Sequence, residues 1–428
     1  MAKKQTATIQ IFIGGVWITA GEFDPVGSSH ESGGYFEYDG DYDINYMPIE
    51  TPSLRVGLKY PVNFGLYQEN RWFAFLLDIL PSGAGRRVWA KRLGITQDYS
   101  SDLQMLLNGA GNAPGNIRVL EAAIPPLKSH PGFKREEVVA KNADFIEYAE
   151  AQGAVVAGAT DVAGDAPKFL LSRAKNGSWH PDGALFDEYI QDCWLVKFPR
   201  GKKEGDYTVL RNEAPYYEVA RLFGIRTGQP LEFDNDSLFI PRFDRVAGEP
   251  FLRLGLESLA SASGISAYGV LTYHEDLCKT ISEFATDPSG ELREYLRREI
   301  LNLSLRNTDN HSRNTAFIKY PNGKVELSPL YDFAPMFLDP EGIARASIWG
   351  PSIEPRKGRP DWIAVGEYLG NLHNDEHDLL EFFYSFAEPV EELPALMDQV
   401  GVEREVIAGV EIRCGEIAAD LRLVGGRL

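Results

Sequence analysis

Hydrophobic periodicity changes once along this chain, and that change restricts the fold more than any other feature. Up to about residue 245, short β-type runs are cut by Gly, Pro and Asp; Val16-Trp17-Ile18, Tyr35-Phe36-Glu37-Tyr38 and Leu54-Arg55-Val56-Gly57-Leu58 open the series. Further strands are predicted at 169–171, 193–198, 231–233 and 237–240. Helices are expected in this part at 71–80, 85–93, 141–151 and 212–223, with proline-bearing 121–140 as a candidate linker. From about 250 onward helical spacing dominates, interrupted by one β-like patch at 315–330, and 373–423 reads as three amphipathic helices. Strand-rich text followed by helix-rich text, with no internal repeat, predicts an α+β chain with two unlike lobes rather than a repeated βαβ sheet. The 428 residues call for more than one core, and the expected division is 1–125, 126–245 and 246–428.

Charge narrows the function. Lys and Arg total 43 against 62 Asp and Glu, a net charge of −19. Direct binding to a phosphate backbone needs clustered cations, so the chain by itself is not expected to bind nucleic acid, and its acidity is compatible with a basic protein partner. Cys193, Cys278 and Cys414 lie far apart and form no disulfide framework or CxxC, and the seven histidines show no zinc spacing. No long charge-free apolar stretch or cleavage-site pattern is present, and a cytoplasmic protein without a membrane span is expected.

Six segments carry candidate chemistry. In LSLRNTDNHSRNTAFI (303–318), Asp309 precedes Asn314 by five positions. That is the spacing of a kinase catalytic loop, where the Asp takes the proton of the attacking hydroxyl and the Asn holds magnesium. VELSPLYDFAPMF (325–337) ends a strand-like run at Asp332-Phe333, in the place of a magnesium-binding D-F-G. DCWLVKFP (192–199) ends an apolar strand in Lys197, placed to reach nucleotide phosphates. In RNEAPYYEVARLFGI (211–225), Glu213 and Glu218 are both candidate carboxylate partners for a phosphate lysine, with Glu213 favoured. ATDVAGDAPKFLL (159–171) is a small-residue loop whose backbone can approach phosphates, followed by Lys168. LFIPRFDR (238–245) suits a hinge whose backbone reads an adenine edge. Each segment also has an ordinary reading: a polar turn, a solvated strand-end lysine, a connector.

Taken in order, these segments resemble the HipA family, the Ser/Thr kinase toxins of HipA–HipB toxin–antitoxin systems. VAGDAPKFLL (162–171) is similar to the family's phosphate loop, WLVKFP (194–199) to its lysine strand and RFDR (242–245) to its hinge. NTDNHSRN (307–314) is similar to its catalytic loop and LSPLYDFAP (327–335) to its metal-binding segment. FAFLLDILPSGAGRR (73–87) and LLNGAGNAPGNIRV (106–119) resemble its N-terminal part. The resemblance implies a bilobal kinase-like fold: an extra N-terminal subdomain over 1–125, the rest of a β-rich N-lobe over 126–245, and an α-helical C-lobe over 246–428. It implies Asp309 as catalytic base, with His311 organising the loop, and Asn314 and Asp332 as Mg²⁺ ligands. Val162, Ala163, Gly164, Asp165, Lys168 and Lys197 would hold ATP phosphates, and the Arg242–Phe243 backbone would lie near the adenine. It implies a small helix-turn-helix antitoxin of HipB type as partner, with DNA reached only indirectly through that antitoxin. The implied substrate is a translation-related protein such as an aminoacyl-tRNA synthetase, with growth arrest as the outcome. Alternatives are a catalytically idle co-repressor scaffold and a lipid or small-molecule kinase. Asp161 stands where family members carry an autophosphorylated serine, with Thr160 one residue earlier.

Overall fold

In the computed structural model, which describes residues 5–126, 130–156, 168–373 and 376–428, the chain divides into two compact units whose boundaries cross the sequence several times. The first comprises the described residues of Met1–Gly201, Leu231–Gly269 and Ala316–Ser328; the second those of Lys202–Pro230, Val270–Thr315 and Pro329–Leu428.

In the first unit, strands β1 (Ala7–Ile13), β2 (Val16–Pro25), β3 (Gly34–Tyr38), β4 (Tyr67–Glu69) and β5 (Ile117–Val119) form an antiparallel sheet in the order β4-β3-β2-β1-β5. Its apolar face packs Phe23 and Phe36 against Trp72 and Phe73, rings edge to face at 5.1–6.0 Å. A second sheet contains β6 (Val155–Val156), β7 (Lys168–Ala174), β8 (Trp179–Pro181), β9 (Ile190–Lys197), β10 (Glu232–Asp234) and β11 (Ser237–Pro241). Its order is β10-β11-β9-β7-β6, with β8 also paired to β7. β9 has a neighbour on each side, and Cys193, Trp194, Val196 and Lys197 are all buried. A strand covered on both faces reads as an unbroken apolar run rather than an alternation, as DCWLVKF does.

Short antiparallel strands Gly255–Ser258, Ala316–Lys319 and Val325–Leu327 make a third sheet in this unit, matching the β-like patch predicted at 315–330. The strand expected at 54–58 does not form. A 3₁₀ turn at Pro52–Leu54 leads into irregular backbone, and buried charges satisfy its polar groups. The Leu58 N–H donates to Glu257 Oε2 at 2.9 Å, and Lys319 Nζ donates to the Arg55 carbonyl at 3.2 Å and to Glu257 at 3.0 Å. The Val56 and Leu58 alternation marks burial here and not a ladder.

The second unit is mainly helical. Its helix Glu204–Leu222 starts eight residues before the predicted 212. Pro215 looks like a first-turn proline but lies in the interior. The true start carries Glu204 and Asp206 in the first turn, and the Lys203 N–H donates to Asp206 Oδ2 at 2.9 Å. The C-terminal region, expected as three helices, comprises Glu376–Ser385, Ala387–Glu391, Leu393–Gln399 and Arg404–Leu423 after Trp362–His373. Among the described residues no helix is long and apolar enough to cross a membrane.

Candidate active site

The helix Pro288–Ser304 delivers the catalytic-loop candidate. Asp287 caps its first turn, accepting from the Gly290 N–H at 3.1 Å, and Pro288 occupies the first helical position. The helix stops at Ser304, and Arg306 then takes a left-handed φ of 55°, which turns the backbone into 307–315. Asn307 ties the turn to the last helical residues: its N–H donates to the Asn302 carbonyl at 3.0 Å and its Nδ2 to Asn302 Oδ1 at 2.9 Å.

Inside the loop, the predicted residues are drawn together by short bonds. Asn314 Nδ2 donates to the Asp309 carbonyl at 2.7 Å, and the Asn314 N–H donates to the His311 carbonyl at 2.8 Å. His311 Nδ1 accepts from the Arg313 N–H at 3.2 Å, and its Nε2 lies 3.7 Å from Asp309 Oδ1. His311 therefore braces the loop beside Asp309. With Nδ2 engaged, Oδ1 is the Asn314 atom that could hold a hard cation. The Asp309 side chain keeps 16% of its surface, enough to be reached by a substrate hydroxyl.

Asp332 also has a left-handed backbone, φ 52°. A non-glycine residue rarely holds this conformation, and such residues cluster at functional sites. Its neighbours fix it: the Tyr331 hydroxyl donates to the Arg313 carbonyl at 2.7 Å, and Phe333 is buried against Tyr216 with ring centroids 5.6 Å apart. Tyr216 lies on Glu204–Leu222, one turn after buried Glu213, so this helix packs on the residue that follows Asp332. Glu218, the other candidate, pairs instead with Arg221 on the same helix. Asp332 and Asn314 supply carboxylate and amide oxygens, the donor type Mg²⁺ takes. Among the described residues no cluster of three or more His, Cys, Asp or Glu forms a metal cage. Mg²⁺ at a nucleotide seldom needs one, because phosphates and water complete its shell.

In the first unit, Lys197 on β9 lies directly opposite Lys168 on β7, with Leu238 of β11 on its other side. Cross-strand partners project to one face of a sheet, so two cations share that face, and Lys197 is buried. Val162, Ala163, Gly164 and Asp165 lie outside the described residues, as do Thr160 and Asp161.

RFDR has an additional role. The Arg242 N–H donates to the Cys193 carbonyl at 2.9 Å, continuing the β9–β11 pairing, so this N–H is committed to the sheet. The Arg242 side chain is buried between Asp182 and Asp244. Asp244 also binds Arg245 at 2.7 Å and accepts from the Gly115 N–H at 2.7 Å, while Arg245 donates to the carbonyls of Gly115 at 2.8 Å and Ala113 at 3.2 Å. Two arginines and two carboxylates thus clamp the Gly-rich 106–119 segment to the second sheet. Burial alone would raise both carboxyls, but Arg242 and Arg245 outweigh it: Asp182 is held well below the usual range and Asp244 at about 2.

Residues 160–391 match the HipA-like C-terminal domain, more than half of the chain. The chain belongs to the HipA family. Its α+β kinase-like fold is shared with Shewanella oneidensis HipA, solved in a complex of the HipA–HipB toxin–antitoxin system with operator DNA. The two are 16% identical, the match covers 98% of each chain, and the TM-score is 0.64. A weaker likeness is to the Helicobacter pylori proinflammatory kinase CtkA: 12% identity over 62% of this chain and 93% of that one, with a TM-score of 0.39. No curated protein sequence matches the chain.

In this HipA-family chain, the sequence singles out Asp309, His311, Asn314 and Asp332 as candidates but not the contacts that hold their loop. Tyr331, Glu299 and Arg345 went unseen. For Glu299 a signal existed. Leu292, Leu296, Glu299 and Leu303 share one helical stripe, and a carboxylate among leucines marks a buried charge that must have partners.

Proposed function

We propose that this chain is an ATP- and Mg²⁺-dependent Ser/Thr protein kinase of the HipA toxin type. The observation that carries the reading is the Asp309–Asn314 loop closed by its own 2.7 Å bond, together with the left-handed Asp332 anchored to the same loop through Tyr331. Asp309 accepts the proton of the substrate hydroxyl, and His311 braces the loop around it. Asn314 Oδ1 and the Asp332 carboxylate hold Mg²⁺, which when bound neutralises phosphate charge. Lys197 and Lys168 bind the phosphates. The Phe243 backbone and the Arg242 carbonyl border the base. A translation-related protein, such as an aminoacyl-tRNA synthetase, is the substrate this reading favours, with growth arrest on its phosphorylation.

Asp332→Ala is expected to weaken Mg²⁺-ATP binding and turnover together, by at least about tenfold, because a hard carboxylate oxygen is lost at the metal. Nucleotide titration with and without Mg²⁺ measures this; unchanged Mg²⁺-dependent affinity assigns the metal to another residue. Phosphoproteomics after expression of the wild type and of an Asp309→Asn variant tests the activity itself and names the substrate.

The partner in this reading is a basic helix-turn-helix antitoxin of HipB type, to which a chain of −19 net charge is complementary. The purified chain alone is expected not to bind duplex DNA at physiological salt, because backbone affinity needs clustered cations. Tight, salt-sensitive binding without a partner in a mobility-shift assay refutes this.

A further inference from the structure

Glu299 lies in the second unit below the loop and touches none of the groups assigned to chemistry. Its carboxylate is 1% exposed, in the last turns of Pro288–Ser304. Oε2 accepts from Asn310 Nδ2 at 2.7 Å. Oε1 accepts from Arg345 Nη2 at 2.7 Å and lies 3.2 Å from His274 Nε2. Burial works to raise this carboxyl, but the electrostatic pull of His274 and Arg345 and the bonds from His274 and Asn310 outweigh it and hold the group below the usual carboxylate range. Asn310 is the residue between Asp309 and His311, and it is held from two sides: Glu299 binds its side chain, and its carbonyl accepts from the Ser347 N–H at 3.1 Å. Arg345 continues outward, donating through Nη1 to Glu354 Oε1 at 2.9 Å, and Glu354 Oε2 accepts from the Trp349 N–H at 3.1 Å.

We propose that Glu299 is a positioning residue: through Asn310 it sets the place of Asp309, and through Arg345 it makes that place depend on the conformation of 345–354, downstream of Asp332. The inference rests on the kinase reading for its catalytic consequence and on geometry for the link itself. A buried carboxylate with three polar partners on three different segments has one arrangement that satisfies all of them. Displacing 345–354 removes Arg345 and leaves Glu299 with an unbalanced charge, so the loop follows. A segment that comes off Arg345 on partner binding or modification would thereby turn Asp309 off without touching the nucleotide groups.

Two variants and their combination test this. Asn310→Asp sets a second carboxylate against Glu299, and kcat for Mg²⁺-ATP consumption is expected to fall at least tenfold with KM for ATP within about twofold. Adding Glu299→Gln to it exchanges donor and acceptor across the pair and is expected to restore most of the lost kcat. Arg345→Met is expected to lower kcat in the same way. Amide hydrogen exchange over 307–315 is measured in parallel on the full chain. Asn310→Asp should accelerate it locally, and the double variant should return it toward wild type. Equal loss of kcat and KM, absence of rescue, or unchanged exchange in this loop overturns the proposal. A wild-type chain that never turns over ATP refutes the kinase reading instead, and the exchange data then still decide whether Glu299 pins the loop.

Discussion

On the kinase reading, Asp309→Asn is expected to lower phosphoryl transfer by about 10²–10⁴-fold while Mg²⁺-nucleotide affinity stays within about twofold, because the substitution removes a proton acceptor and little else. The bond that closes the loop runs from Asn314 Nδ2 to the Asp309 main-chain carbonyl, which the variant keeps. The metal ligands assigned in this reading, Asn314 and Asp332, are untouched. An amide has nearly the size of the carboxylate, so His311, 3.7 Å away, loses a charged neighbour without losing packing. Orientation of the hydroxyl survives in part and proton removal does not. A rate measurement at saturating ATP, paired with a nucleotide titration, separates the two effects. Wild-type turnover in the variant removes Asp309 from the base role; a large loss of nucleotide affinity makes it a ligand.

The candidate loop stands out in sequence because phosphoryl transfer, the chemistry proposed for it, needs particular atoms at a fixed chain spacing. Asp309 and Asn314 must lie within one turn of loop, and Asp332 must follow after an excursion long enough for two strands. Strand β9 was legible for a simpler reason: a strand covered on both faces has to be apolar. The supporting contacts obey no such spacing. Glu299 reaches Asn310 across 11 positions and Arg345 across 46, and only the folded chain says which buried charge meets which. Leu54–Leu58 misled for a related reason. Alternating apolar residues were read as a ladder, whereas the backbone groups there are satisfied by Glu257 and Lys319, some 200 and 260 residues away. RFDR suits a hinge in the sequence, and the buried charge clamp it also forms is hidden until Asp182 and the Gly115 loop are placed around it. The long helix reaches back to Glu204 with Pro215 in its interior, a place where proline is rare.

Asp244→Asn is expected to cost the first unit about 3–5 kcal/mol, the usual consequence of breaking a buried charge pair from one side. The clamp holds two guanidiniums against two carboxylates, all with little or no exposed side chain. Without the Asp244 charge, Arg242 and Arg245 face Asp182 alone, and the Gly115 N–H keeps at best a weaker acceptor. Urea unfolding followed by tryptophan emission reads this, because Trp72, Trp179 and Trp194 are buried in the first unit's cores. At a urea m-value of roughly 1–3 kcal/mol per M the midpoint drops by at least about 1 M. Acid gives an independent reading of the same group. The Asp244 pKa is lowered from 3.8 to about 2 by Arg242 and Arg245 against the opposing pull of burial. A folded-state pKa below the unfolded value contributes stability that is complete above the unfolded pKa and is lost as pH falls through the folded one. Wild-type stability from this group is therefore flat above about pH 5 and declines between about pH 4 and 2, with Asp182 adding to the decline in the same direction. The Asp244→Asn chain starts from a lower plateau and declines less steeply over that window, since one of the two depressed carboxyls no longer titrates. Identical acid slopes in the two proteins would show that Asp244 is not held as a paired anion. An unchanged urea midpoint would show that the Gly-rich segment is held to the second sheet by packing and not by this clamp.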